Sequence, residues 1–123
     1  MTIKPAIWIG SSGRDIKEFP KDVRRLFGYA LWQIQQGRQP SRAKVKALRG
    51  FQGAGVLEMI ASKVEGTYRF VYTVRFAKVV YVLHVFQKKS KHGIKTPPQD
   101  INLIRKRLKL AEDDYAKRHA TKD

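Results

Sequence analysis

Cysteine is absent from the 123 residues, which removes disulfides, thiol nucleophiles and thiolate metal sites together. Acid is scarce: 10 Asp and Glu stand against 26 Lys and Arg, a formal net charge of +16. A surplus that size repels itself in a compact fold and marks an anionic partner, whether nucleic acid, the ribosome or an acidic protein. A generally solubilising basic surface is the plainer alternative. Long apolar runs are missing too. The longest, Val79 to Phe86, contains His84 and falls far short of the ~18 residues of a membrane span. Ala6 to Ile9, after Lys4 and Pro5, is too short for the apolar core of a signal peptide. These absences predict a soluble, cytoplasmic chain with no membrane partner.

What is present is enough for a core. Hydrophobic residues make up 42% of the chain, and its length fits one domain spanning 1–123, with a tail fraying from about His119. Ala6 to Ile9 reads as a short strand stopped by Gly10-Ser11-Ser12-Gly13. A helix starts near Pro20, with Val23, Leu26, Phe27, Ala30, Leu31 and Ile34 on one stripe and Gly37 as its stop. Gly28 inside it predicts close packing, since glycine costs a helix about 1 kcal/mol against alanine. Arg38 to Gly55 reads as a basic, Gly-rich connection with one short helical turn at Ser41 to Leu48.

Three strands come next. Val56 to Ser62 is the first, with Glu58 and Ile60 on the face opposite Leu57, Met59 and Ala61. Thr67 to Phe76 alternates: Tyr68, Phe70, Tyr72, Val74 and Phe76 point one way, Thr67, Arg69, Val71, Thr73 and Arg75 the other. Val79 to Phe86 is nearly all apolar and predicts a central strand covered on both faces. Short turns make these strands an antiparallel meander. Thr96-Pro97-Pro98-Gln99 matches a capping box at the start of a last helix, whose buried stripe is Ile101, Ile104, Leu108, Ala111 and Tyr115. The expected fold is α+β: a small antiparallel sheet, N-terminal strand plus meander, with helices packed on one face.

Phosphate-loop and dinucleotide-turn motifs are lacking, and His84, His92 and His119 have no metal-ligand spacing. Neither a metal nor a cofactor is predicted. The chemistry-bearing feature is a run of cations without acid. Between Glu65 and Asp100 stand Arg69, Arg75, Lys78, Lys88, Lys89, Lys91 and Lys95. Arg69 is mounted mid-strand, and the hairpin should bring the strand end at Lys88-Lys89 close to it. A rigid cation pair of this kind can hold a phosphate and stabilise charge in a transition state. Arg69 could instead pair with Glu58 across the sheet. Lys44, Lys46, Arg49, Arg75, Lys91 and Lys95 suit phosphate tracking and equally suit a solvated surface. His84 reads as a core histidine, and the Tyr68 face as core rather than a base-stacking platform.

Tyr68-Arg69-Phe70-Val71-Tyr72, Val79 through Ser90, Lys95-Thr96-Pro97-Pro98-Gln99-Asp100-Ile101 and Arg105-Lys106-Arg107-Leu108 together resemble the RelE/ParE toxin superfamily. The similarity is closest to its HigB-like, phage-derived branch and runs from about Ala6 to Leu110. Leu48-Arg49-Gly50 before Gly55-Val56-Leu57-Glu58 is similar to that family's approach to the meander. The resemblance implies a RelE-like fold and the toxin of a type II toxin–antitoxin pair. It implies a metal-independent endoribonuclease that cuts mRNA on the ribosome, restrained by an antitoxin of helix-turn-helix type. By the same resemblance Arg69, Lys88 and Lys89 would stabilise phosphate charge. His92 would stand in for the proton-transfer group, because Glu58 and Ile60 occupy the positions where related ribonucleases carry lysines. Two other functions stay open: a ParE-like inhibitor of a topoisomerase, and a degenerate phage-derived RNA-binding protein without cleavage.

Overall fold

The computed structural model describes residues 3–51, 53–89 and 95–119. Strand β1 (Ala6–Trp8) leads into a short helix α1 (Ser12–Asp15), a 3-10 turn (Ile16–Glu18) and helix α2 (Lys21–Gln35). Strands β2 (Lys44–Ala47), β3 (Val56–Lys63), β4 (Gly66–Thr73) and β5 (Val80–Lys88) come after it, and helix α3 (Pro98–Arg118) closes the chain. The sheet order is β1-β5-β4-β3-β2. The α+β class and the β3-β4-β5 meander are as expected. The expected antiparallel sheet is instead mixed: β1 adds to β5 in parallel, since the intervening helix α2 carries the chain across the sheet.

Four further expectations need correction. The segment Lys44 to Ala47 is an edge strand rather than a helical turn, with Lys46 opposite Glu58 and Lys44 opposite Ile60. Its Lys-Val-Lys-Ala alternation puts both lysines on one face, and pairing with β3 outweighs a weak local preference for helix. The helices, secondly, cover both faces of the sheet. Val23, Phe27, Ala30, Leu31 and Ile34 of α2 pack with Tyr68, Phe70, Tyr72, Val82 and Val85. Ile104, Leu108 and Ala111 of α3 pack with Val71, Tyr81 and Leu83 on the other side. A central strand apolar on both sides requires a layer on each, and β5 is such a strand.

The third correction concerns Phe76. Strand β4 ends at Thr73, and Phe76 packs on Tyr81 and Tyr115 in the α3 layer rather than beside Tyr72. Gly28, finally, is not a packing glycine: a Cβ there would meet nothing within 4 Å.

Strand β5 carries a bulge that ties α3 to the sheet. Val71 pairs with His84 and Tyr72 with Val82, which leaves Leu83 as the extra residue. Leu83 and His84 thereby both serve the α3 face, and the bulge frees a carbonyl from the ladder. Arg107 Nη1 donates to that Leu83 carbonyl at 3.0 Å and Nη2 to Ser11 Oγ at 3.1 Å. Gly10 makes room for this side chain; with φ 61, a Cβ there would lie 2.8 Å from Arg107 Nε. Arg107 is therefore buried, three residues after Ile104 and four before Ala111 on the face that α3 turns to the sheet. His84 Nε2 bonds Asp100 Oδ1 at 2.7 Å, which fastens the first turn of α3 to the sheet. The core reading of His84 agrees with this. Among the described residues no helix is long and apolar enough to cross a membrane.

Candidate phosphate-binding groove

The α3 side of the sheet is polar at its β2 end. Period-two alternation points Lys44 and Lys46 of β2, Glu58 and Ile60 of β3, and Thr67 and Arg69 of β4 to that side. Glu58 is fully buried and Arg69 is 3% exposed. Arg69 Nη1 donates to Glu58 Oε1 at 3.2 Å, and Lys46 Nζ lies 3.8 Å from the same oxygen. Thr96 Oγ1 donates to the other oxygen, Oε2, at 3.3 Å. Arg69 Nε reaches Thr67 Oγ1 at 3.2 Å. The guanidinium is thus held at both ends, and the carboxylate is gripped from three directions.

The capping box does not form. Pro97 is the residue before the first helical turn and no side chain caps it, because the Thr96 hydroxyl is turned to Glu58. A buried carboxylate oxygen is a stronger acceptor for that hydroxyl. Proline at the following position has no N–H to be capped, so the helix loses little.

Lys88 stands opposite Thr67 in the β4–β5 ladder, and its Nζ donates to the Lys95 carbonyl at 2.6 Å. Burial, reinforced by the nearby Arg69 charge, pushes the Lys88 ammonium below its usual pKa. Gly66 is required beside it: with φ 133, a Cβ there would lie 2.5 Å from the Lys88 carbonyl oxygen. Lys89 comes next, exposed.

Next to this buried cluster runs a groove of about 660 Å³ between β2 and the start of α3. Lys46, Arg49, Lys95, Thr96 and Arg105 line it. Arg105 is anchored at 4.7 Å over the Phe51 ring and donates to the Gly50 carbonyl at 3.3 Å. Of the predicted contacts, Lys46, Arg49 and Lys95 are brought together here, and Lys44 lies on the same face one pleat along β2. Arg69 and Lys88 are neighbours on the same face of the sheet, near enough for the Arg69 charge to act on Lys88. Arg75 is elsewhere, paired with Glu112 toward the far end of α3. Lys91 and His92 lie outside the described residues.

Sequence reasoning assigned no site role to Glu58, Thr96 or Arg105. For Lys46 and Glu58 a signal existed, the i, i+2 lysines of a short strand. Thr96 carried the stronger local signature of a helix cap, which concealed its partner. Chemically, the arrangement sets a buried carboxylate with fixed cations behind an open basic groove, a setting suited to a polyanion.

A profile of the phage-derived protein Gp49-like family matches residues 14–109. The chain belongs to that family. The phage-derived family expected from its motifs is met. Among curated proteins none matches the chain. Two solved structures are similar to it. One is a free-state mutant of the toxin RelE from E. coli, 20% identical over 69% of this chain and 83% of that one, TM-score 0.48. The other is the toxin–antitoxin complex RelBE2 from Mycobacterium tuberculosis, 23% identical over 73% of this chain and 97% of that one, TM-score 0.46.

Proposed function

We propose that this chain is the toxin of a type II toxin–antitoxin pair and cleaves mRNA on translating ribosomes without a metal. The observation that carries the reading is that Lys46 and Thr96, which line the groove with Arg49, Lys95 and Arg105, both reach the buried Glu58, with Arg69 and Lys88 beside it. In this reading the groove cations hold the RNA backbone. The RNA's own 2′-OH attacks the adjacent phosphorus, giving its proton to Glu58, and the P–O5′ bond breaks. Arg69, Lys46 and Lys89 stabilise the charge on the phosphorane, as fixed cations in a desolvated site do most effectively. Lys88, whose ammonium loses its proton more readily than an ordinary lysine, supplies the proton to the leaving 5′ oxygen. His92 is the alternative donor proposed from sequence. The +16 surplus also suits an acidic antitoxin laid over the same groove.

A second reading, RNA binding without cleavage, takes its support from the closure of Glu58 and Arg69 on each other. One experiment separates the readings. Wild type, Glu58→Gln and Arg69→Ala are induced in cells without antitoxin, and RNA 5′ ends and DNA breaks are mapped. Cuts within translated messages that fall by about a hundredfold or more in Glu58→Gln support cleavage. Bound but uncut RNA favours the second reading. DNA breaks with intact messages would sink both in favour of a topoisomerase poison.

A further inference from the structure

Helix α2 turns its apolar stripe to the sheet, yet its outer face carries Tyr29 and Trp32, 43% and 45% exposed. Their rings contact one another, with centroids 5.9 Å apart and a 34° tilt. Arg42 lies over the Tyr29 ring at 5.7 Å. It is kept there by the loop before β2, which the buried Gln33 amide holds through its bonds to Ser41 at 3.1 Å. Arg25, Gly28, Tyr29 and Trp32 recur at helical spacing and share this outer face.

Gly28 is the informative member. An exposed glycine inside a helix is unfavourable, and none of the described residues occupies the space its missing side chain leaves. The free chain gains nothing from it. A bare backbone bordered by an exposed Trp and Tyr gains meaning when a flat ligand seats there.

We infer that Gly28, Tyr29 and Trp32 form a second RNA subsite, on which an unpaired base of single-stranded RNA stacks while Arg25 and Arg42 take the adjoining phosphates. Charge selects this occupant. No acid occurs from Val23 to Leu57, and the one acid at the start of α2, Asp22, is engaged by Lys63. A second copy of a +16 chain would be repelled. A docking protein helix would call for aliphatic knobs, but those of α2 face the core. Aromatic rings among cations are instead what a single strand uses, stacking on any base and pairing with any phosphate. Position agrees: Arg42 stands four residues before Lys46, at most about 13 Å away, just ahead of the edge strand β2. RNA leaving the groove over Lys44 and rounding this edge would meet Arg42 and the two rings.

The inference rests on RNA being the ligand of the groove, and the test keeps the two apart. The probe is a short unstructured 2′-O-methyl oligoribonucleotide, whose blocked 2′ oxygen prevents cleavage. Affinity is monitored by anisotropy and by quenching of tryptophan fluorescence. Trp32→Ala and Tyr29→Ala should each weaken binding about tenfold, as loss of one stacked base does, and Trp32→Phe should restore most of it. Gly28→Ala should raise the Tm through helix propensity while still weakening RNA binding, a pairing that a merely structural role does not produce. Affinities within about twofold of wild type in all three, with Arg49→Ala and Arg105→Ala impaired, would overturn the subsite and leave the groove standing. The same variants losing an acidic antitoxin peptide but not RNA would overturn it in favour of a protein partner. Absence of RNA binding by the wild type would remove both the groove reading and the subsite.

Discussion

Against α2 the sheet presents Tyr68, Phe70, Tyr72, Val82 and Val85, an aromatic and aliphatic layer that Phe27 and Trp8 complete. Against α3 it presents Tyr81 and Leu83 at one end but Lys46, Glu58, Arg69 and His84 toward the other, with Val71 between Glu58 and His84. Both faces are covered, and both are buried where β4 and β5 lie. They differ in what the burial does. The first removes apolar area from water, the dominant favourable term in folding. The second takes charges out of water, and their mutual attraction repays that loss only when geometry is good. A fold seeking stability alone would carry the apolar layer across both faces. In the proposed function the polar end of the α3 face serves the groove beside it, at the expense of stability.

Breaking each face at its centre tests this difference. Phe70→Ala, at a fully buried position among Trp8, Phe27 and Tyr72, should cost about 3–5 kcal/mol in urea denaturation. Glu58→Ala should cost about 3 kcal/mol, because it leaves the Arg69 guanidinium buried without its carboxylate. The faces separate in the rescue. Replacing the pair together, Glu58→Leu with Arg69→Met, should return stability to within about 1 kcal/mol of wild type or above it, while RNA cleavage stays lost. If the double variant remains as unstable as Glu58→Ala, the pair is structural after all and the contrast between the faces dissolves.

The two faces were also unequally legible from sequence. Alternation along Tyr68, Phe70 and Tyr72 and the helical stripe from Val23 to Ile34 located the apolar layer, because periodicity records which residues leave water. The α3 face was recovered only in part. Its cations were visible as a run without acid, and the proximity of Lys88 to Arg69 came from the hairpin. Of its partners only Glu58 was legible, as the cross-strand alternative for Arg69. That Lys46 lies across from Glu58 depends on the β2–β3 register, which no local pattern specifies across a Gly-rich connection. Thr96 obeyed a helix-start signature until tertiary contact with Glu58 overrode it. Arg107 lies at the spacing of the buried stripe but is charged, and the Leu83 carbonyl and Ser11 hydroxyl that let it stay buried are set by the bulge and the distant chain. Polar contacts made at long range by single side chains leave no period in the chain.

The far end of α3 supplies the mildest test, since there a polar contact does serve stability. Tyr81 Oη donates to Asp114 Oδ2 at 2.6 Å and Arg118 Nε donates to the same oxygen at 2.7 Å. The Tyr81 hydroxyl, then Arg118, hold the Asp114 carboxyl below its usual pKa, although partial burial opposes them. A carboxyl whose pKa is depressed by folding stabilises the native state above its unfolded value, about 3.9. That contribution is lost as pH falls through the lower, folded value. Tyr81→Phe should therefore cost about 1 kcal/mol at neutral pH and leave the Glu58 groove working. In acid the gap between variant and wild type should narrow, because protonation of Asp114 takes the charge out of the bond in the wild type as well. A gap that stays constant down to about pH 2 would mean that the loss is one of ring packing rather than of a charge-assisted hydrogen bond. The polar and apolar ends of this face would then be stabilised by the same means.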